Sequence, residues 1–94
     1  MEYLFIQRPG DREAIGNFIQ EFEVLTKEQL VQLYNRQVEI GIVGVHAQAQ
    51  KIVALNIVFN QVFGSSPIII ENNILIKLTS KIELLNGSWF KTKV

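Results

Sequence analysis

The segment from Gly41 to Gln50, GIVGVHAQAQ, contains the side chains of this chain that come closest to a chemical site. It holds two glycines and His46, which is the one histidine of the sequence. Histidine can act as a general base or as a metal ligand. Base catalysis also needs a nucleophile or an orienting acid, and a metal needs several convergent donors.

The sequence offers His46 none of these partners in a recognisable pattern. The chain has no cysteine and no HExxH spacing, and Ser65 and Ser66 lie in a Gly/Pro loop without a GxSxG frame. No acidic residue is positioned by the sequence to orient the ring. We therefore expect a histidine near a helix start that is satisfied by backbone or water, and a chain with no catalytic residue, no metal and no cofactor.

Gly41 and Gly44 have the GxxG spacing with which KH domains hold a nucleic-acid backbone. Such a loop presents free amides and polar or basic side chains, whereas Ile42 and Val43 stand between these two glycines. The match is therefore one of spacing. The simpler interpretation is that Gly41 ends one helix and Gly44 lets two backbones approach.

A second pattern that could bind nucleic acid lies near the C-terminus. Aromatic and basic residues occur together there, as on surfaces that stack single-stranded bases. The residues of this alternative surface are Trp89, Lys77, Lys91 and Lys93. Trp89 and the adjacent Phe90 point to opposite faces of a strand, so at most one of them can be exposed.

The composition predicts one domain, spanning residues 1–94, that has more apolar material than a monomer of this size easily buries. Hydrophobic residues make up 48% of the chain and charged ones 19%, against about 25% charged in ordinary soluble domains. This favours a second copy or a protein partner. The absence of cysteine is compatible with a reducing compartment, and polar residues interrupt the apolar segment 45–63, so we predict a cytoplasmic protein without a membrane span.

The net charge is zero, so no overall field attracts nucleic acid or an anionic membrane. Acidic residues exceed basic ones by three in residues 1–39, and basic residues exceed acidic ones by three in residues 77–94. The stretch between them is almost uncharged and is the predicted core.

Hydrophobic periodicity predicts the helices that position these residues. A strand over 2–6 is followed by helices at about 12–23, from Lys27 to Gly41 and at about 45–63. Asp11 is expected to cap the first helix, and Thr26 with Gln29 forms a capping box for the second.

After Pro67 the pattern becomes that of strands, with Asn86-Gly87 as the strongest turn signal. The sequence therefore predicts an α+β fold. In this fold about three N-terminal helices, with or without a short preceding strand, pack on a C-terminal antiparallel β-meander.

The predicted third helix carries apolar residues on the face that should be wet. Val53 and Ile57 fall there among His46, Gln50 and Asn60, and a helix that is apolar beyond one stripe is usually covered on more than one side. These five residues are the predicted interface of a homodimer, unless the N-terminal helix or strand covers them. The leading function is thus a small non-catalytic interaction or accessory domain; the alternative is a nucleic-acid-binding domain, and the third is a small enzyme or ligand binder.

Overall fold

The computed structural model describes residues 2–92. Its elements are β1 (Glu2–Leu4), α1 (Asp11–Glu23), α2 (Lys27–Ile40), α3 (His46–Phe63), β2 (Ile69–Glu71), β3 (Leu75–Lys77), β4 (Ile82–Leu85) and β5 (Ser88–Lys91). The predicted α+β class is confirmed, with a short first strand and three helices ahead of antiparallel strands.

The helix boundaries follow the local signals of the sequence. At the start of α2 the Gln29 amide N–H donates to the Thr26 hydroxyl at 3.1 Å, and the Thr26 amide donates to the Gln29 side chain at 2.9 Å. The helix stops at Gly41, whose φ of 76° suits glycine, and α3 stops in the same way at Gly64.

The central helix of the core is α3, which lies in the almost uncharged stretch that the sequence analysis predicted as the core. Six of its side chains are buried, and it packs against both α1 and α2. The buried residues are Ala49, Ile52, Ala54, Leu55, Val58 and Phe59. They meet apolar side chains from every other layer of the domain, among them Phe22, Leu30 and Ile76.

The strands form two antiparallel sheets and not one continuous meander. One sheet has the order β1-β3-β2, so the N-terminal strand pairs with β3, and the other is the hairpin of β4 and β5. Tight turns with positive φ connect the two strands of each hairpin, at Asn72 and Asn73 between β2 and β3 and at Asn86 and Gly87 between β4 and β5. In the second hairpin Asn86 and Gly87 form a two-residue turn, as the sequence predicted, and Leu84 pairs with Trp89.

The side chains of α2 explain why the two sheets separate. The buried Tyr34 hydroxyl accepts the backbone amide of Thr79 at 3.2 Å and donates to the carbonyl of Ser80 at 3.2 Å. The Asn35 amide then exchanges two hydrogen bonds of 2.8 Å with the backbone of Ile82. Between β3 and β4 the chain therefore bonds to a helix instead of to a strand.

Candidate functional site

A buried carboxylate joins the start of α1 to the start of α3. Asp11 is only 2% exposed, and its Oδ2 accepts the backbone amide of Arg8 at 2.6 Å. Its Oδ1 lies 2.7 Å from His46 Nε2 and accepts the Gln50 side-chain amide at 2.7 Å. We call Asp11, His46 and Gln50, with the Arg8 amide, the Asp11 cluster.

The environment of Asp11 keeps it ionised. Burial raises the pKa of this carboxyl, but the hydrogen bonds from the Arg8 amide, Gln50 and His46 outweigh that effect and lower the pKa to about 2. An ionised carboxylate only accepts hydrogen bonds, so His46 Nε2 must carry the proton of this contact.

The rest of the His46 ring is packed. It stacks on Phe5 with ring centroids 5.0 Å apart, and its Nδ1 lies 3.5 Å from the Tyr3 hydroxyl. The expectation that backbone or water satisfies this ring is wrong, because the partner is a carboxylate 35 positions earlier in the chain. The His46 side chain is only 13% exposed, and through Asp11 it ties the start of α3 to the start of α1.

Asp11 also departs from its predicted role as a helix cap. The N-cap of α1 is Gly10, which has a φ of 89° and makes no side-chain cap bond. Asp11 is the first residue of the helix, and its side chain turns inward to α3. A sequence signal for this cluster did exist, since Asp11 follows Pro9-Gly10 and His46 and Gln50 share one helix face, but nothing local paired the two segments.

Another glutamine of the segment from Gly41 to Gln50 fixes the corner between α2 and α3. The Gln48 side chain donates to the Gly41 carbonyl at 2.8 Å and accepts the Val43 amide at 3.0 Å. Gly41 and Gly44 both have positive φ, so glycine is needed to turn the chain there. Because the Val43 amide is already bonded, it is not available to a phosphate.

The predicted interface residues do form one row along α3. His46 and Gln50 bind Asp11, Val53 and Ile57 are half-buried, and Asn60 is exposed and donates to the carbonyl of Asn56 at 3.0 Å. Helix α1 thus covers the first part of this row, as the alternative interpretation of the sequence allowed.

Beyond the Asp11 cluster, an open apolar groove of about 340 Å³ runs between α1 and α3. We call it the α1–α3 groove. Its lining residues are Phe5, Gln7, Asp11, Arg12, Ile15, Gly16, Ile19, Val53 and Ile57. The groove leaves the apolar part of the predicted interface only partly covered by the chain itself.

The residues of the alternative nucleic-acid surface do not share one sheet. Trp89 and Lys91 lie on β5, whereas Lys77 lies on β3 in the other sheet and pairs with Glu71 at 3.0 Å. The Trp89 indole is half-buried and donates to the carbonyl of Ser65 at 3.2 Å, while Phe90 is 51% exposed. Lys93 lies outside the described residues.

The fold and the groove define the class of this molecule as a small α+β domain with a partly open helix pair. Among residues 2–92 no group of histidine and acidic side chains could hold a metal ion, and no helix is long and apolar enough to cross a membrane. Comparison with known protein families, with curated proteins and with solved structures finds no match.

Proposed function

We propose that this chain is a small non-catalytic interaction domain that associates with a second copy of itself through the α1–α3 groove. The single observation that carries the proposal is the groove, in which Val53 and Ile57 of the central helix remain accessible beside Ile15 and Ile19. Cytoplasmic location is part of the same proposal, and cell fractionation tests it.

The charge pattern of the groove supports a protein occupant. Its lining is mainly apolar, with Arg12 as an exposed cation, and the buried carboxylate at one end has three hydrogen-bond donors of its own. A surface of this kind gains free energy mainly from removing apolar area from water. Closed two-fold dimers are the commonest way in which soluble chains cover such a surface.

The fit of the Asp11 cluster to a structural role also supports this proposal over the enzyme alternative. Its acid and amide groups are bonded to one another, and the histidine is stacked against Phe5. A general base needs a free position from which to reach a substrate proton. The cluster instead orders the helix pair that forms the groove.

Sedimentation of the wild type and of Val53→Lys/Ile57→Glu tests the proposal. We expect the wild type to be a dimer at tens of micromolar and the double variant to be a folded monomer, since a charged pair in the groove cannot be desolvated without cost. The matched control is Asn17→Lys/Gln32→Glu, which adds the same two charges at exposed positions that do not line the groove.

The control is expected to sediment as the wild type does. A wild type that stays monomeric at these concentrations contradicts self-association, and so does a folded groove variant that keeps the wild-type assembly. Circular dichroism of each variant verifies that the helices are intact.

A further inference from the structure

Gly16 is a helical residue that the packing of the chain itself does not require. It lies in the middle of α1 and lines the groove, and a Cβ atom built on it would meet no atom of another described segment within 4 Å. Glycine weakens a helix relative to alanine because it loses more backbone entropy on folding. A group from outside the chain that approaches the α1 backbone would account for this glycine.

The groove side of α1 carries residues that would complement one another if two copies of the helix paired in opposite directions. At helical spacing, Ile15 and Ile19 flank Gly16 on this side, with Arg12 at the first turn. Glu23, four residues beyond Ile19, continues the same stripe. Arg12 and Glu23 lie equally far from the midpoint between Gly16 and Ile19.

We propose that α1 pairs in an antiparallel arrangement with α1 of a second copy, with Ile19 of each copy seated against Gly16 of the other and Arg12 facing Glu23 of the other. This inference rests on the proposed function and names the contact that forms the dimer. A two-fold axis through the midpoint of the stripe produces all four contacts at once, because it repeats each of the two residue pairs with the roles of the two copies exchanged.

Electrostatics favours this direction of pairing. Arg12 and Glu23 are both exposed, and among residues 2–92 neither forms an ion pair within the chain. They are separated by about 16 Å along the helix, so a parallel pair would place like charges together. The helix dipole, which is positive at the N-terminus and negative at the C-terminus, favours the antiparallel pair in the same way.

The same pairing covers the groove. Ile15 and Ile19 of the second copy would lie over Val53 and Ile57, which form the other wall. The α1 and α3 helices of two copies would then pack as a four-helix layer, in which side chains of one helix enter the spaces between those of the next.

Charge reversal tests the pairing in the full-length chain. Arg12→Glu alone brings glutamates together at both ends of the pair, and Glu23→Arg alone brings arginines together, so we expect each variant to dimerise at least tenfold more weakly than the wild type. An equimolar mixture of the two variants places opposite charges at both ends and should form a heterodimer. Native mass spectrometry distinguishes it from the two homodimers.

The matched control for Glu23→Arg is Glu13→Arg, an exposed residue of the same helix that does not line the groove. It makes the same change in net charge and should leave the dimer unchanged. Equal effects of the two reversals, or a mixture that stays monomeric where the wild type is dimeric, would overturn the pairing.

Gly16→Ala supplies an independent test, because its effects on the two equilibria should have opposite signs. In an Arg12→Glu background, where dimers are weak, we expect a higher melting temperature from the better helix former. In the wild-type background the added Cβ occupies the space for Ile19 of the other copy, so we expect a several-fold larger dimer dissociation constant. An unchanged dissociation constant contradicts the inference.

These experiments separate this inference from the proposed function. If Val53→Lys/Ile57→Glu is monomeric but the charge reversals have no effect, the groove is the interface and the antiparallel pairing is wrong. If the wild type never associates, both proposals fall.

Discussion

Tyr34→Phe removes one oxygen atom from the point where the two sheets separate. Tyr34 is fully buried, and its hydroxyl contacts the amide and hydroxyl of Thr79 and the carbonyl of Ser80, each at 3.2 Å. Phenylalanine keeps the ring and its packing against Phe59. The variant therefore tests the hydrogen bonds alone.

The expected loss of stability depends on whether each group that contacted the Tyr34 hydroxyl finds another hydrogen-bond partner. The Thr79 hydroxyl keeps its bond to the Pro67 carbonyl, and Ser80 is exposed, so water can bind its carbonyl. The part-buried Thr79 amide loses its partner, and a donor left unsatisfied away from water costs roughly 1–3 kcal/mol. We expect the free energy of unfolding to fall by about 2 kcal/mol, which lowers the melting temperature by about 8–16 °C for a domain of this size.

Urea and thermal unfolding followed by circular dichroism measure this loss, and Tyr3→Phe is the control. That substitution removes the same atom from a hydroxyl that has one hydrogen-bond contact among residues 2–92, with His46 at 3.5 Å. A contact of this length is weak, so we expect a change below about 0.5 kcal/mol. If Tyr34→Phe is as stable as this control, the hydroxyl does not hold the segment between β3 and β4.

Two further predictions concern the Asp11 cluster and the hairpin. Since the folded pKa of Asp11 lies below its ordinary value, its ionisation stabilises the fold above about pH 4, and this contribution should be lost as the pH falls toward 2. The urea midpoint should therefore fall less steeply with decreasing pH for Asp11→Asn than for the wild type, measured from neutral pH through this acid range. Parallel curves for the two proteins would show that the carboxylate is not the titrating group. Gly87 has a φ of 80°, so Gly87→Val should lower the free energy of unfolding by about 1 kcal/mol or more. Gly87→Asn should lower it less, because asparagine tolerates positive φ. Equal melting temperatures for the two variants would argue against backbone strain.

The candidate site could be predicted only in part. Helical spacing alone placed His46, Gln50, Val53 and Ile57 on one face, because side-chain direction in a helix depends on position and not on tertiary contacts. Spacing did not reveal what faces that row. Asp11 and His46 are 35 positions apart, and no local rule brings such residues together.

By itself, the sequence determined the elements of this protein that depend on neighbours along the chain. The capping box at Thr26, the glycine stops and the Asn86-Gly87 turn all act over a few residues, so they could be read before any fold was known. The tertiary structure decided the partners of those elements. The buried Tyr34 hydroxyl divided the strands into two sheets. The packing of α1 on α3 removed Asp11 from water beside its hydrogen-bond donors, and the same packing left the groove open. Each of these outcomes depends on groups that meet only when distant segments exclude water together.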